Sequence, residues 1–409
     1  MSPPSSPSPS HAPPRHLVGV NLLWLVPGVV GGSEEYTVRC LAGLAERMSP
    51  DIEVRLFALD AFAEVHREVA DLFETVLLPL DGHRKSVRVA AESSWLAAQA
   101  RRHRLDLLHH AGGVVPLVHN VPAVLTIHDL QPLVMPENFS RVKLAYLRSM
   151  LPRSARAARV VVTPSEHAGR SVVDTLGVAP ERVMTVPSGI DMTAIGPPDE
   201  AEERRVRAAY GVNGPFFLLP AITYPHKNHL MLLRAFADLL TTHPDVTLVL
   251  TGGEATSEAS VRTEIARLGL EDRVRRLGRV PRTDVDALFD AATALTFPSV
   301  FEGFGIPVLE AMAHGCPVIS GNTTALPDVV GDAGVLVSPY RPSEWTRTMA
   351  ELLDRPERRE ALRRSGLERA AHFDWRRSSD ALERAYLRAL DRPVPSHSTE
   401  TQRKLPGAR

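Results

Sequence analysis

The chain has 409 residues, of which 44% are hydrophobic and 23% charged, which is typical of a soluble globular protein large enough for two domains. Its net charge of -1 argues against nucleic acid as the main partner. The only cysteines are Cys40 and Cys316, and their separation excludes a disulfide framework and a metal-binding cysteine pair. These features favour a reducing, cytoplasmic location.

Both ends of the chain, residues 1–15 and 392–409, are rich in polar residues and proline, and we expect them to be disordered. The stretch LVGVNLLWLV from Leu17 imitates the apolar part of a signal peptide, but Asn21 interrupts it and no small-residue cleavage motif follows. It is also too short to cross a membrane as a helix. We therefore predict a buried strand here.

Short apolar runs alternate with amphipathic helical patterns along both halves of the chain. The runs occupy residues 17–25, 52–59, 105–111, 123–129 and 159–165, and then 216–222, 246–252, 294–300, 317–320 and 334–338. This alternation predicts parallel sheets covered by helices on both faces. The expected fold class is α/β, with two doubly wound Rossmann-like domains that face a cleft. The predicted boundaries are 16–191, 192–372, and 373–391 for a last helix that crosses back onto the first domain.

Ligands of open α/β sheets bind beyond the carboxyl ends of the strands, so the loops after the strands are the candidate sites. The first such loop contains Gly31 and Gly32, directly before a helical pattern that starts at Ser33. Glycines would let an anion approach the free N–H groups of the helix. However, Glu34 and Glu35 oppose an anion there, and a plain tight turn is an equal alternative.

His128 and Asp129 follow the apolar run AVLTI. A histidine at this position can exchange hydrogen bonds at the cleft, and it ordinarily titrates near neutrality. The alternative is that Asp129 only caps the next turn while His128 packs against it. The nearby His109, His110 and His119 lack the spacing of metal ligands and are interpreted as strand and loop residues.

The stretch TYPHKNH from Thr223 to His229 lies between a predicted strand and a predicted helix. Lys227 would then stand near the helix N-terminus, where a cation is unfavourable for the helix dipole. A bound phosphate would offset that cost. The alternative, a lysine that turns outward to water, is equally compatible with the sequence.

Glu302 and Glu310 bracket a glycine-rich turn in EGFGIPVLE. Pro307 belongs at the first position of a helix, which would place Glu310 in the first helical turn and Glu302 in the loop before it. Interaction with the helix dipole, worth about 0.3–1 kcal/mol, explains Glu310 but not Glu302. Two carboxylates around exposed amides suit a phosphate with hydroxyl groups on either side, as in a nucleotide sugar.

A metal site is not expected. Asp284 and Asp286 form an Asp-x-Asp pattern, but they lie at a predicted helix start, where side chains two residues apart do not share a face.

Together, these motifs resemble those of the retaining glycosyltransferases of family four, which have the GT-B fold. The resemblance covers residues 17–390. It is carried by the Glu-x7-Glu motif at 302–310, Gly31-Gly32, HDL at 128–130, VPSGID at 186–191, HKN at 226–228 and FDW at 373–375.

The resemblance implies a role for each matching residue in binding a nucleotide-sugar donor. Glu310 would accept hydrogen bonds from the ribose and Glu302 from the donor sugar, and His128 would lie near the reaction centre. The other implied donor contacts are Gly31, Gly32, Lys227, the turn residues Gly278 and Val280, and the loop residues Gly303, Phe304, Gly305 and Ile306. The resemblance further implies that the anomeric configuration is retained and that no metal or other cofactor takes part.

One departure from the family pattern concerns the diphosphate. Many members carry an arginine several residues before the lysine, whereas PAITYPHK contains none. His226 and Thr223 are the candidates to replace it. The motifs PHKNH and HDLQPL are most similar to those of mannosyltransferases and related hexosyltransferases, which favours GDP-mannose.

The acceptor is expected to be a hydroxyl of a glycan, a lipid-linked sugar or a small molecule. Residues 82–160 contain twelve Lys or Arg against four Asp or Glu, which indicates either a solvated face or peripheral contact with an anionic inner membrane. Two other functions remain alternatives: a nucleotide-sugar epimerase of the same fold, and a catalytically silent module that binds a nucleotide sugar.

Overall fold

The computed structural model describes residues 16–29 and 31–391. The two terminal segments predicted to be disordered lie outside the described residues. Within the described ranges, no helix is long and apolar enough to cross a membrane.

The first part of the chain builds one sheet and its covering helices. Its strands are β1 (His16–Asn21), β2 (Ile52–Leu59), β3 (Glu74–Leu78), β4 (Leu107–His110), β5 (Ala123–Thr126), β6 (Val160–Thr163) and β7 (Val183–Thr185). Its helices are α1 (Gly32–Arg47), α2 (Asp60–Val65), α3 (Arg67–Ala70), α4 (Lys85–Ser93), α5 (Trp95–Arg102), α6 (Gln131–Val134), α7 (Arg141–Ala157) and α8 (Glu166–Leu176). Short 3₁₀ turns occupy Pro136–Asn138 and Pro180–Arg182.

The second part builds the other sheet. Its strands are β8 (Phe216–Pro220), β9 (Thr247–Thr251), β10 (Val274–Gly278), β11 (Ala294–Phe297), β12 (Val318–Gly321) and β13 (Val335–Val337). Its helices are α9 (Glu200–Tyr210), α10 (His229–Leu239), α11 (Glu258–Arg267), α12 (Arg282–Ala291), α13 (Ile306–Ala313), α14 (Leu326–Val330), α15 (Pro342–Asp354) and α16 (Pro356–Ala370), with a 3₁₀ turn at Pro225–Lys227. The last helix is α17 (Trp375–Ala389).

Both sheets are parallel throughout, which confirms the predicted α/β fold with two Rossmann-like units. The first sheet has the order β3-β2-β1-β4-β5-β6-β7, and the second has the order β10-β9-β8-β11-β12-β13. In each sheet the chain first winds outward in one direction and then returns to wind in the other. The point where the direction reverses lies between β1 and β4 in the first sheet and between β8 and β11 in the second. Ligands of open α/β sheets bind in the crevice at such a switch point.

The last helix, α17, returns to the first sheet. Tyr386 is fully buried in the apolar core that also contains Val20 and Leu56, and its hydroxyl lies 2.9 Å from Nδ1 of His109 in β4. Gly43 of α1 packs so closely on Ser379 of α17 that a Cβ atom at residue 43 would collide with the serine side chain. The predicted domain boundaries remain predictions. In the structure, β7 ends at Thr185 and α9 starts at Glu200.

The strand predictions were incomplete. No strand was predicted at β3, β7 or β10, and all three are edge strands of their sheets. The predicted strand at 17–25 ends earlier, at Asn21, because the next residues leave the sheet to form the loop before α1.

Candidate functional site

The switch point of the second sheet carries an ion pair. Lys227 follows β8 and Glu302 follows β11, and the two strands are neighbours. Nζ of Lys227 lies 2.5 Å from Oε1 of Glu302, and the two side chains are only 16% and 12% exposed. Lys227 Nζ also stands 5.2 Å from the centre of the Phe297 ring. The lysine therefore turns into the crevice, and the alternative of an outward-facing lysine is wrong.

The loop after Glu302 leads directly into α13. Gly305 precedes the helix with φ of +109°, a left-handed conformation that favours glycine, and Ile306 is the first helical residue. Pro307 is thus the second residue of the helix, and Glu310 lies in its second turn. The prediction that Glu310 lies in the first turn was wrong, because the helix starts one residue earlier than the proline rule indicated.

Glu310 is held by an arginine that the sequence analysis missed. Nη1 of Arg282, at the start of α12, donates to Oε1 of Glu310, while Nε of the same arginine lies 2.8 Å from Oδ1 of Asp286. Burial raises the pKa of Glu310, and the neighbouring Arg282 opposes that shift. The arrangement keeps a desolvated carboxylate beside the crevice with one oxygen bound to a guanidinium.

Loops of the two units meet at Gly303. A Cβ atom at this residue would lie 2.5 Å from the carbonyl oxygen of His128, so only glycine fits between them. The hydroxyl of Ser165 donates to the Gly303 carbonyl at 2.7 Å. Nearby, the position of a Cβ atom on Gly32 lies 3.4 Å from Cδ1 of Ile306, which brings the starts of α1 and α13 together. The structure thus places Gly32, His128, Gly303 and Ile306 at one cleft.

His128 is neutral at physiological pH. Burial lowers its pKa to about 4, so the expectation that it titrates near neutrality was wrong. Its Nε2 lies 3.1 Å from the carbonyl oxygen of Ala111, which can only accept, so the proton is on Nε2 and Nδ1 is left as an acceptor. The rings of Tyr36 and His128 are nearly perpendicular to each other, with their centres 5.3 Å apart. Asp129 has a turn-capping role, because its Oδ1 accepts the N–H of Gln131 at 2.9 Å.

Neither candidate for the missing arginine supplies a cation. Thr223 is fully buried, its Oγ1 accepts the N–H of Ala255 at 2.8 Å, and its hydroxyl hydrogen-bonds with Glu258. The side chain is therefore used inside the fold, and its predicted donor contact stays a prediction. Burial and the adjacent Lys227 lower the pKa of His226 to about 4, which leaves that imidazole neutral.

Gly31 takes the strained backbone form that glycine allows, with φ of +66°, just before α1. The two acidic residues expected to repel an anion here are both paired. Glu34 turns back to accept the N–H of Gly28 at 2.8 Å, and Glu35 pairs with Arg39 at 2.8 Å. Their charges therefore oppose an anion at this helix start less than the sequence indicates.

Three further residues predicted to contact the donor either offer only their main chain to the crevice or lie away from the switch point of the second sheet. The Phe304 ring is buried against Phe373, with ring centres 5.8 Å apart, so only its main chain can contact a ligand. Gly278 ends β10 with φ of +70°, and its carbonyl accepts the N–H of Gly252 at 2.8 Å. Val280 follows in the loop before α12, away from the switch point by two strands.

Among residues 16–29 and 31–391, no group of three or more His, Cys, Asp or Glu side chains is arranged to hold a metal ion. Asp284 is buried and bound to Arg205 at 2.5 Å and to the Tyr210 hydroxyl, so it stabilises α9 against α12.

Sequence reasoning missed three side chains that shape the site. These are Arg282, which holds Glu310; Thr324, whose Oγ1 accepts the N–H of Glu302 at 2.9 Å; and Ser165, which binds the Gly303 loop. Arg282 lies two residues before the Asp-x-Asp pattern, and a basic residue at that helix start was the available signal.

The chain matches known families over most of its length. Residues 201–369 match the family described as "Glycosyl transferases group 1", and residues 30–194 match "Glycosyltransferase Family 4". An O-antigen chain mannosyltransferase B of Escherichia coli is 30% identical over 71% of this chain and 76% of its own length. A D-inositol 3-phosphate glycosyltransferase of Segniliparus rotundus is 29% identical over 68% of this chain, and the match spans 62% of that relative.

The fold has close counterparts among solved structures. Anabaena HepE, solved in complex with UDP-glucose, superposes with a TM-score of 0.71 and 22% identity over 91% of this chain and 99% of the other. The two parallel sheets, the cleft between them and the family matches lead to one conclusion. The chain belongs to the group 1 glycosyltransferases of family 4, which have the GT-B fold.

Proposed function

We propose that the protein transfers a hexose from a nucleotide-diphosphate sugar to an acceptor hydroxyl, with retained anomeric configuration and without a metal. The observation that carries this proposal is the Lys227–Glu302 ion pair at the switch point of the second sheet, beside the glycine loop and the start of α13. Within one crevice, Lys227 supplies a cation that can bind the diphosphate, and Glu302 supplies a carboxylate that can bind the sugar hydroxyls.

The ion pair gives donor binding a specific chemistry. The donor diphosphate takes Lys227 as its counter-ion, and Glu302 then accepts hydrogen bonds from sugar hydroxyls in place of the ammonium group. The N–H groups at the start of α13 add positive potential for the phosphates. These groups stabilise the charge that develops as nucleoside diphosphate leaves, which is the role a metal plays elsewhere.

The group transfer proceeds on one face of the sugar. The bond between C1 and the phosphate oxygen breaks, the acceptor oxygen bonds to C1 on the same face, and the acceptor proton passes to the departing phosphate. His128 is neutral, so it acts as a hydrogen-bond acceptor for the donor sugar through Nδ1 and not as an acid. Glu302 is likewise assigned to sugar binding. Closure of the cleft at Gly303 excludes water from the sugar.

We propose mannose as the sugar, in line with GDP-mannose as the favoured donor. The name of the Escherichia coli relative supports mannose, and the UDP-glucose held by the Anabaena structure supports a nucleotide hexose in general. Glu310, held by Arg282, is assigned to the ribose hydroxyls, which are common to both nucleotides.

A panel of nucleotide sugars tests this function. GDP-mannose is expected to raise the melting temperature most, because a ligand that binds only the folded state stabilises it. Slow hydrolysis of the same donor, followed by proton NMR, should release α-mannose first, at an undiminished rate in EDTA. Conversion of the donor to another nucleotide sugar would favour the epimerase alternative. Binding without any turnover would favour the silent module.

We also propose that the acceptor is presented at an anionic membrane surface. The basic region 82–160 includes α4 and α7, where Val87 and Val142 are exposed next to Arg88 and Lys143. Apolar and basic side chains together suit the interface of an anionic bilayer. The test is co-sedimentation of the protein at low salt with vesicles that contain phosphatidylglycerol. If the protein does not sediment with these vesicles, this part of the proposal is wrong.

A further inference from the structure

Two helices of the second unit meet through side chains of alternating charge. On α12, Arg282, Asp286 and Asp290 follow one another at intervals of four residues, so they lie along one face of the helix. On α13, Glu310 is followed four residues later by His314, which caps the end of the helix. Arg282 contacts Glu310, and His314 contacts both aspartates. These five side chains form one charge row, and the proposed donor chemistry gives a role only to Glu310 and Arg282.

The imidazole of His314 is buried between the two aspartates. Its side chain is 5% exposed, and the ring of Phe289 stacks on it with the ring centres 5.6 Å apart. Nδ1 lies 2.8 Å from Oδ1 of Asp290, and Nε2 lies 3.4 Å from Oδ1 of Asp286. A carboxylate oxygen only accepts, so this arrangement suits the imidazolium form, which has an N–H on each ring nitrogen.

Asp286 connects His314 to the arginine that holds Glu310. The oxygen of Asp286 that faces His314 also lies 2.8 Å from Nε of Arg282. Nη1 of the same arginine donates to Oε1 of Glu310. In the described part of the chain, the two contacts of this Asp286 oxygen are ion pairs that lack the alignment of a hydrogen bond. The charges of the three groups therefore decide how strongly they hold one another.

The charge row contains three carboxyl groups but only one arginine. Burial raises the pKa of Glu310, Arg282 opposes that shift, and the negative charges of Asp286 and of Glu35 from α1 add to it. An unbalanced Asp286 would also compete with Glu310 for the guanidinium group of Arg282. A cationic His314 next to Asp286 offsets this negative charge, because an opposite charge stabilises an ionised carboxylate. Arg282 then remains available to Glu310.

We propose that His314 is a positioning residue for binding of the nucleotide ribose, and that it acts through Asp286 and Arg282. The N–H on Nε2 of His314 holds the Asp286 carboxylate beside Arg282. The arginine in turn keeps Nη1 on Glu310, which stays ionised and oriented to accept from the ribose hydroxyls. Binding groups depend on such support, because their own side-chain conformations must be fixed by the residues behind them. The inference rests on the proposed function, in which Glu310 contacts the ribose.

Two substitutions of His314 separate its two contacts. The amide nitrogen of asparagine occupies the place of Nδ1, and that of glutamine occupies the place of Nε2. His314→Asn therefore keeps a donor for Asp290 and loses the donor for Asp286, whereas His314→Gln keeps the donor for Asp286. Calorimetric titration of GDP and UDP is the measurement. For the nucleotide that the wild-type protein binds, His314→Asn should raise the dissociation constant at least about fivefold, and His314→Gln should stay within about twofold of the wild-type value. His243→Asn, which changes a histidine paired with Asp354 before β9, is the matched control and should bind normally.

The 2′,3′-dideoxy form of the same nucleotide shows whether the effect passes through the ribose contact. The loss of affinity in His314→Asn should disappear with this form, whereas general damage to the fold would weaken both forms equally. Melting temperatures show that each variant is folded. The inference is overturned, and the proposed function stands, if His314→Asn binds the ribonucleotide as tightly as the wild-type protein, if His314→Gln does not restore binding, or if both nucleotide forms lose affinity by the same factor. If the wild-type protein binds neither GDP nor UDP, the proposed function fails and this inference fails with it.

Discussion

Lys227 and Glu302 form an ion pair of 2.5 Å that joins the carboxyl ends of two adjacent parallel strands, β8 and β11. Neither side chain is more than one-sixth exposed, so neither charge is well solvated, and each depends on the other. In the proposed function, a donor diphosphate would share or replace this contact. The two residues should therefore act as a unit, and changing either one should expose the charge of the other.

Lys227→Ala should weaken donor binding. Loss of one charge-assisted hydrogen bond to a phosphate, worth roughly 1.5–3 kcal/mol, corresponds to about a 10- to 100-fold rise in the dissociation constant of the nucleotide sugar. Calorimetric titration measures this dissociation constant. Lys85→Ala, an exposed lysine of α4, is the control and should bind the donor normally. Equal affinities in both variants would show that Lys227 does not contact the diphosphate.

Arg282→Ala should make nucleotide binding dependent on pH. Burial raises the pKa of Glu310 and Arg282 counteracts this, so removing the arginine raises the pKa of Glu310 further. Only the ionised carboxylate accepts two hydrogen bonds from ribose hydroxyls. The variant should thus bind nucleoside diphosphate more weakly at pH 6 than at pH 8, by a larger factor than the wild-type protein. The same ratio in both proteins would contradict this role of Arg282.

Gly303→Ala should impair catalysis more than folding. The added methyl group would lie 2.5 Å from the His128 carbonyl, so the two loops must move apart. Misplacement of reacting groups by about 1 Å can cost about 100-fold in rate. Gly196→Ala is the control, because a Cβ atom there has open space. The measurements are the steady-state rate of sugar transfer and the melting temperature. If Gly303→Ala transferred sugar at the wild-type rate, the close contact between Gly303 and His128 would not be needed for catalysis.

Acid should destabilise the protein below about pH 6.5. Burial lowers the pKa of five histidines to about 3 or 4: His109, His110, His128, His226 and His229. These groups bind fewer protons in the folded than in the unfolded state, so each removes up to about 1.4 kcal/mol of stability per pH unit as the pH falls from 6.5 towards 4.

Three carboxyl groups act in the opposite direction, because burial raises the pKa of Glu92, Asp129 and Glu310. They stabilise the folded state as the pH falls, but five histidines outweigh three carboxyls. Thermal melting at pH 7, 6 and 5 should show a falling midpoint. A constant or rising midpoint would mean that the buried histidines are solvated or partnered in solution.

The central strands of the two sheets could be predicted from sequence, and three of their four edge strands could not. β1, β8 and β11 are buried on both faces and therefore appear as apolar runs. The edge strand β3 is partly exposed, and β10 contains Arg275 and Arg276, so neither has such a run. β7 has only three residues.

The site shows the same division between local and distant information. Lys227 and Glu302 are recognisable because each sits in a short loop motif directly after a strand. The contact between Arg282 and Glu310 joins residues 28 positions apart on two helices, and no local pattern encodes it. Thr223 is a related case, because its loop position is visible in the sequence, while its hydrogen bond with the N–H of Ala255 is not.

The location of the donor site is tested most directly by calorimetric titration of GDP-mannose and UDP-glucose into the wild-type protein and Glu310→Ala. The carboxylate of Glu310 lies beside the crevice and is assigned to the ribose that both donors share. The wild-type protein should bind at least one donor, and Glu310→Ala should bind that donor at least about tenfold more weakly while remaining folded. Unchanged affinity in Glu310→Ala would contradict the placement of the nucleotide at the switch point between β8 and β11.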